Sequence, residues 1–178
     1  MDLREFLIYW GAFFFLLNKI YFFKAEDAWN DWFENEERHF RIRSWEYYLV
    51  CLPAIVVVFY LTKGWLAAAV EAAGAPSMIQ GLVRIKRGQE AKTPLWLLFV
   101  ALGVSVLGLA YSVQMYSGLE SWTQVCELGL SIGYFVGTFL LAYRNDKNGY
   151  LWYLLMHIST GGYFLLQEPI SWTMVITQ

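Results

Sequence analysis

The feature of this sequence that most constrains its fold is a series of six long apolar runs within 178 residues. The hydrocarbon core of a bilayer is about 30 Å thick, and an α-helix needs roughly 17–25 apolar residues to cross it. Backbone polar groups there have no water to bond, so such a run crosses as a helix. The sequence therefore predicts an all-α, polytopic bundle of about six transmembrane helices in a single domain over residues 1–178. The runs are residues 6–23, 47–62, 65–83, 94–115, 122–143 and 150–166.

Composition agrees with a membrane protein and excludes several functional classes. Hydrophobic residues make up 58% of the chain and charged residues 16%, against about 25% charged residues in ordinary soluble domains. The net charge of −2 provides no basic field for nucleic acid. Cys51 and Cys126 lie in apolar runs without metal-ligand spacing, so neither a metal nor a cofactor is predicted. Membrane lipids are the first expected partners, and the opening run, lacking a basic lead-in and a cleavage site, is expected to be a mature span.

The distribution of Lys and Arg predicts an orientation in the membrane. Short cytoplasmic loops are enriched in these residues. With six spans, ten of them share one side, whereas Arg4 and Lys63 lie on the other. We therefore expect a protein of the cell (inner) membrane with its basic loops in the cytoplasm and both termini outside, and with a tight turn at Lys63-Gly64. The ten residues are Lys24, Arg38, Arg41, Arg43, Arg84, Lys86, Arg87, Lys92, Arg144 and Lys147.

Two segments outside the apolar runs have a mixed character. Between residues 24 and 45 many acidic residues alternate with aromatic ones, and Trp29, Trp32 and Phe33 fall at helical spacing. This pattern predicts an amphipathic helix lying on the membrane surface near residues 25–45, with a partner-docking segment as the alternative. The tail, residues 168–178, is either a re-entrant or interfacial stub or the start of another helix, and the sequence leaves both open.

The fifth run combines a polar face with a glycine face. Gln124, Glu127, Ser131, Tyr134 and Thr138 recur at intervals of three and four residues, which places them on one side of a helix. Gly129, Gly133 and Gly137 form a ladder on another side, where a neighbouring backbone can approach closely. The sequence therefore predicts that one face lines an aqueous cavity and that the other packs against a helix.

The third and sixth runs add further candidates. The alternative for each polar group is a bond to a neighbouring helix, worth about 0.6 kcal/mol on average. Glu71 is expected to reach water near the outer end of its span, and Asn18 and Lys19 to snorkel to the interface. Pro76 is predicted to kink the third helix. The predicted ligand-binding residues are Gln80, Glu127, Ser131, Tyr134, Tyr153, His157 and Thr160.

Two stretches resemble the PQ-loop superfamily, which includes the SWEET sugar transporters, the nicotinamide riboside transporters and a small domain of some lipid A disaccharide synthases. They are APSMIQGLVRIKRGQEAKTPLWLLF, which opens a three-helix unit over residues 66–144, and LLAYRNDKNGYLWYLLMHISTGGYFLLQEP. The shared pattern is a proline inside one helix, a basic loop, and later helices that end near Tyr. The resemblance covers residues 66–178 and implies a transporter built from repeated helix units. The adjacent Pro-Gln pair of the superfamily is absent here, because Ser77 follows Pro76, so only the kink role is carried over.

Three functional classes follow from these patterns. The first is a transporter or carrier of a small polar solute, with a midplane site between the third, fifth and sixth runs and an alternating-access mechanism. The second is a non-transporting membrane subunit that handles lipid or scaffolds a complex, as a homo-oligomer or with a partner membrane subunit. An enzyme using Glu127 and His157 as an acid–base pair is the third, but no nucleophile or phosphate-loop motif supports it. We expect Glu127 and His157 to face one interior cavity without touching.

Overall fold

The computed structural model describes residues 2–30, 34–88, 94–116, 121–142, 146–167 and 170–178, and all its regular elements are helices. They are α1 (Leu3–Asn30), α2 (Glu34–Leu61), α3 (Trp65–Lys86), α4 (Leu95–Tyr116), α5 (Trp122–Ala142), α6 (Asp146–Leu165) and α7 (Trp172–Thr177). Within these described ranges, four stretches are long and apolar enough to cross a membrane, namely Leu3–Ala28, Asn35–Leu61, Trp65–Lys86 and Leu95–Met115. The predicted fold class, an all-α bundle of membrane-spanning helices, is confirmed.

The outer surface of the bundle is apolar, as lipid contact requires. Phe99 and Leu107 of α4 are 70% and 71% exposed, and Trp122 at the start of α5 is 75% exposed. Soluble monomers rarely present contiguous apolar surface of this kind, because water makes it costly. The apolar surface and the lengths of the helices therefore both indicate a lipid bilayer as the environment.

Residues 25–45 differ from the predicted surface helix. The stretch up to Asn30 continues α1, and the stretch from Glu34 onward begins α2, which runs without interruption to Leu61. Trp32 and Phe33 lie outside the described residues. Arg41 Nη2 lies 2.7 Å from Glu37 Oε1 on its own helix and 3.6 Å from Glu26 Oε1 on α1. The charged residues thus pair within and between two extended helices, and residues 25–30 and 34–45 belong to these helices rather than to a separate surface helix.

The tight turn predicted at Lys63-Gly64 is confirmed, and it has a defined hydrogen-bond pattern. Lys63 has a φ of 63°, the left-handed conformation. The Gly64 N–H donates to Phe59 O at 2.8 Å and the Lys63 N–H to Tyr60 O at 3.1 Å, which is a Schellman motif. A Cβ on Gly64 would lie 2.5 Å from Tyr163 Oη, so glycine is needed here for close approach.

The helices form two antiparallel pairs joined through α3. The pair α1–α2 contacts α3 through α2, while α3 also contacts α4 and the α5–α6 pair through α5. At one end of the bundle Tyr150 Oη donates to Glu26 at 3.4 Å. At the same end Arg38 donates to the carbonyl oxygens of Ile85 at 3.0 Å and Lys86 at 2.9 Å. The end of α1, the start of α2, the end of α3 and the start of α6 therefore lie together.

The tail docks onto the bundle as a short helix. α7 contacts α6 and α1, and the Met174 side chain is 1% exposed. Residues 168 and 169 lie outside the described ranges. This packing brings the last residue, Gln178, back to the middle of α6.

Candidate functional site in the centre of the bundle

Lys19 and His157 form the first contact of the site. Lys19 Nζ lies 2.5 Å from His157 Nε2, and it also lies 4.9 Å from the centre of the Phe15 ring. The neighbouring Asn18 side chain donates to Ser44 O and Ser44 Oγ, both at 2.9 Å. The prediction that Lys19 and Asn18 snorkel to the interface is wrong. Both instead bond groups on other helices, which removes the cost of an unpaired polar group in the bundle.

The second nitrogen of His157 extends the contact to the tail. His157 Nδ1 lies 3.0 Å from Gln178 Oε1. In the described residues, no Cα atom of α1 lies within 8 Å of a Cα atom of α6, although Lys19, Phe15 and Phe22 of α1 reach His157 or Tyr150. The direct contacts between α1 and α6 are therefore made by side chains alone, and α7 packs on both helices.

Glu71 on α3 provides the negative charge of the site. Its side chain is 8% exposed and accepts a hydrogen bond from Tyr48 Oη on α2. The expectation that Glu71 reaches water is therefore wrong. Glu71 lies close enough to Lys19 for their charges to interact. Since a carboxylate costs about 2.5–3.5 kcal/mol at the centre of a span, a phenol donor and a nearby cation are the partners expected for it.

Tyr134 and Tyr153 complete the group from α5 and α6. Tyr134 is 5% exposed and interacts electrostatically with Glu71 and Tyr153. Its hydroxyl lies against the backbone of Gly74, where any Cβ would overlap it. The position of Gly74 therefore lets the phenol enter between α3 and α5. We name the following residues the central polar cluster: Lys19, Tyr48, Glu71, Tyr134, Tyr153, His157 and Gln178.

Glu127 lies elsewhere, at the start of α3. Its Oε2 accepts hydrogen bonds from the backbone N–H groups of Leu66 at 2.9 Å and Ala67 at 3.4 Å. Gly64, the residue before α3, has no side chain to cap the helix, so α5 supplies the cap. A carboxylate at a helix N-terminus also complements the helix dipole. The side chain is 2% exposed. This geometry gives Glu127 a role in the fold.

Ser131 and Thr160 satisfy their hydroxyl groups within their own helices. Ser131 Oγ donates to Glu127 O at 2.7 Å, and Thr160 Oγ1 donates to Met156 O at 2.8 Å. Such bonds to the preceding turn are common for these residue types. Among the predicted ligand-binding residues, Tyr134, Tyr153 and His157 are thus brought together in the cluster, and Ser131 and Thr160 are not.

Gln80 and Pro76 lie further along α3. Gln80 Oε1 is buried and has no hydrogen-bond partner among the described residues. An orphan buried acceptor is uncommon in native structures, and a bound polar molecule is one explanation for it. Pro76 lies inside α3 and removes the donor that would bond the carbonyl of Ala72, so its kink role stays a prediction.

The glycine ladder of α5 faces α6. A Cβ on Gly133 would lie 2.6 Å from both Met156 N and Trp152 O, and one on Gly137 would lie 3.2 Å from Gly149 O. A Cβ on Gly129 would overlap the Ser159 side chain. The two backbones are therefore in contact along this face, as small residues allow in membrane helices.

Two open cavities of about 250 Å³ each flank the bundle. One lies between α6 and α7, and His157 and Gln178 form its polar wall. Glu127 is not among its lining residues. The other lies between α1 and α2 and is lined by apolar side chains such as Phe6, Trp10 and Pro53. The polar wall of the first cavity belongs to the central polar cluster, so the cluster is reached from that side.

Sequence reasoning missed four members of the cluster, Lys19, Tyr48, Glu71 and Gln178. The signal that identifies two of them is a pair of opposite charges in separate apolar runs, since charges within spans face the bundle interior and pair with one another. No family model matches the chain, and neither a curated protein nor a solved structure matches it. Its function is therefore inferred from the geometry of the cluster.

Proposed function

We propose that this chain is a membrane transporter or carrier that moves a small polar solute through the centre of the bundle. The observation behind the proposal is the central polar cluster, which draws side chains from α1, α2, α3, α5, α6 and the end of α7 into an apolar bundle. Ionisable groups inside membrane bundles are costly and mark substrate or ion pathways. His157, Lys19 and Tyr134 lie near the middle of their helices, where transporters bind their substrates.

The chemistry of the cluster indicates the class of solute. Tyr48 and Tyr134 offer hydroxyl groups, Glu71 offers a carboxylate, and Lys19 offers a cation. Gln80, on the same helix as Glu71, offers an acceptor that no described residue uses. A solute that carries both donors and acceptors would replace the present contacts one for one. Side-chain bridging between α1 and α6 supports an alternating-access motion in which these helices separate and close.

The proposal includes six spans, with α5 and α6 as the fifth and sixth, in the cell membrane. It places the basic loops in the cytoplasm and both termini outside. The shared location of the end of α1, the start of α2, the end of α3 and the start of α6 supports this arrangement. The resemblance of residues 66–178 to the PQ-loop superfamily supports it as well. Cysteines at Gly88 and Gly118 should react with a membrane-impermeant reagent from opposite sides, and labelling from one side would overturn the topology.

The solute can be found by a thermal-shift screen of the purified protein against sugars, nucleosides, vitamins and lipids. Each stabilising compound is then supplied in radiolabelled form to proteoliposomes that contain the full chain. We expect uptake that is reduced at least about tenfold by His157→Ala and Tyr134→Phe, a loss of about 1.4 kcal/mol or more. Leu107→Ala, on the lipid-facing side of α4, is the matched control. Uptake that His157→Ala and Tyr134→Phe leave unchanged would contradict the proposal.

A non-transporting subunit is the second candidate, and one observation favours it. α4 contacts α3 extensively and α5 slightly, and its Phe99, Leu102 and Leu107 side chains are exposed. Such a face suits a second copy or a partner helix as well as lipid. Native mass spectrometry from nanodiscs distinguishes a non-transporting subunit from a transporter, because a subunit should appear as a defined complex. For a subunit, no polar solute should stabilise the protein in the thermal-shift screen.

A further inference from the structure

We propose that Lys19 and His157 together form a proton-binding site that joins α1 to α6, so that a proton is the coupling ion of the transport proposed above. The inference rests on that proposed function. Its basis is the 2.5 Å contact between two nitrogen atoms on helices whose described backbones do not touch. The strength of this contact between α1 and α6 therefore depends on how many protons the two side chains hold.

The partners of His157 fix where its proton lies. Gln178 Oε1 is an acceptor, so His157 Nδ1 carries the ring hydrogen and donates it across 3.0 Å. The lone pair of His157 Nε2 then accepts a hydrogen from Lys19 Nζ. A single hydrogen lies between the two facing nitrogens, and the imidazole is neutral. Gln178 is a positioning residue, because it sets this tautomer.

An added proton abolishes the contact. A proton from the water phase forms an N–H bond at His157 Nε2 and uses the lone pair that accepted the Lys19 hydrogen. The result is an imidazolium ion facing an ammonium ion, with no acceptor between them, and the two charges repel. No backbone contact holds α1 directly against α6, so breaking this contact weakens the side-chain bridge between the two helices, while α7 still packs on both. Loss of the proton restores the bond and draws them together.

The other charged and titratable groups around the pair allow one positive charge but do not balance two. α3 contributes Glu71, which interacts with Lys19. α2 contributes Tyr48, which bonds Glu71, and Cys51, whose sulfur lies near the same carboxylate. Tyr134 of α5 and Tyr153 of α6 are neutral phenols at ordinary pH, and Gln178 beside α7 is an amide. Glu71 is therefore the single side-chain carboxylate among these groups, and it matches the charge of Lys19 alone.

The protonation state can be read directly, because the chain contains two histidines. The full-length protein is labelled with ¹⁵N-histidine, reconstituted in nanodiscs and studied by NMR from about pH 8 to about pH 4. His39 is exposed and serves as the internal reference. At high pH we expect His157 to be protonated at Nδ1 alone, and in Lys19→Met to gain its second proton at a higher pH than in the wild type. A His157 that carries its hydrogen on Nε2 at high pH, or a titration that Lys19→Met does not move, overturns the proposal.

The link to helix separation is tested by spin labels at Leu16→Cys on α1 and Ile158→Cys on α6, two exposed positions. Cys51 and Cys126 are first replaced by alanine. We expect the mean distance between labels to increase from about pH 8 to about pH 4. In His157→Gln, which cannot take the proton, the distance should stay constant. An equal distance at both pH values in the unsubstituted pair, or the same increase in His157→Gln, overturns the proposal.

The NMR titration and the distance measurement need no solute, so they test proton coupling separately from the transporter assignment. If the distance does not respond to pH while a compound from the screen is still transported, proton coupling fails and the transporter assignment stands. If the distance responds but no compound is transported, the transporter assignment fails, and the coupling that rests on it fails with it. When both hold, proteoliposomes loaded with the pH indicator pyranine should acidify as the identified solute enters.

Discussion

The two sides of α6 are joined to the bundle in opposite ways. Toward α5, glycines let backbone meet backbone, and a Cβ on Gly133 would lie 2.6 Å from Met156 N. Toward α1, long side chains bridge a gap, and the Lys19–His157 contact is the shortest hydrogen-bond contact recorded between the described parts of these helices. Close-packed interfaces have few alternative arrangements, whereas a bridge of flexible side chains can open without repacking a core. The comparison supports the proposed motion, in which α5 and α6 form one body and α1 moves relative to it.

The two buried carboxylates follow the same division. Glu127 is held by backbone N–H groups at the start of α3, which are fixed in place by the helix itself. Glu71 is held by a phenol and faces a lysine, and both are side chains that can rotate. A carboxylate bound by the N–H groups of a helix end is suited to holding two helices together. A carboxylate bound by rotatable side chains is suited to exchanging those partners for a ligand.

The largest effect is expected at the tight interface. Gly133→Leu places a side chain into the backbone of α6. Overpacking typically costs about 1–3 kcal/mol, and because backbone atoms cannot move aside we expect a loss of about 3 kcal/mol in stability or a failure to fold. Gly103→Leu is the matched control, because nothing lies within 4 Å of a Cβ at that position. Thermal unfolding in detergent measures both. Equal melting temperatures for the two variants would show that α5 does not pack closely against α6 at Gly133.

The next effect concerns the cap on α3. Glu127→Ala leaves the N–H groups of Leu66 and Ala67 without their acceptor, and an unsatisfied buried donor costs about 1–3 kcal/mol. Glu127→Gln keeps a carbonyl oxygen at the same place, so it should lose clearly less in the same unfolding assay. If Glu127→Gln is as stable as the wild type but fails to bind the solute found by screening, the sequence-based assignment of Glu127 to the ligand site is right.

Loss of the Lys19–His157 contact should impair solute binding more than stability. We expect His157→Ala to lower the free energy of unfolding by about 1 kcal/mol, the net worth of a typical hydrogen bond, and to weaken solute binding at least about tenfold. Isothermal titration with the solute and thermal unfolding give the two quantities on one sample. A large stability loss with unchanged binding would make His157 a helix fastener like Glu127.

Much of the fold could be predicted from residue patterns. The last four apolar runs correspond to α3–α6 within a few residues, because length and hydrophobicity set a span, and the first two lie inside the longer helices α1 and α2. The Lys63-Gly64 turn was visible as a break between two runs. The extension of α1 and α2 through residues 25–45 was not predicted. The extended helices bring Arg41 within 3.6 Å of Glu26, and such a pairing between two helices leaves no periodic signal.

The site was predicted in part, for a related reason. Periodicity along α5 and α6 identified Tyr134, Tyr153 and His157, since it reports which side chains share a face. It placed Glu127 on that same face, yet Glu127 meets the start of α3 because it lies at a different height along the helix. Lys19 and Glu71 stand alone in apolar runs, so no pattern within one helix indicates that they meet. Helix packing brings them together, and the available sequence signal is that each places a charge inside an apolar run.

The far end of α3 offers a weaker version of the Glu127 cap. Arg38 donates to the carbonyl oxygens of Ile85 and Lys86 at the C-terminus of α3. A cation there complements the helix dipole by about 0.3–1 kcal/mol at exposed positions. Arg38→Ala should therefore cost about 1 kcal/mol in unfolding experiments, less than Glu127→Ala, because water can replace the lost donor at this exposed end. Arg38→Met separates the polar contribution from that of the side-chain stem, and a loss equal to that of Glu127→Ala would remove the distinction between the two ends.

The smallest effect on stability is expected for an ion pair that lies within one helix and connects no two elements. Arg43 Nη1 lies 3.1 Å from Glu46 Oε2 one turn away on α2, and the Arg43 side chain is 50% exposed. Exposed pairs of this type contribute about 0–1 kcal/mol, because water and salt screen them. Arg43→Ala should therefore change the melting temperature little, while Lys86→Ala, which breaks a 2.6 Å contact between α3 and Glu46 on α2, should lower it slightly more. Both differences should shrink as salt is raised. A larger loss for Arg43→Ala than for Lys86→Ala would mean that pairing within one helix outweighs pairing between helices at this end of the bundle.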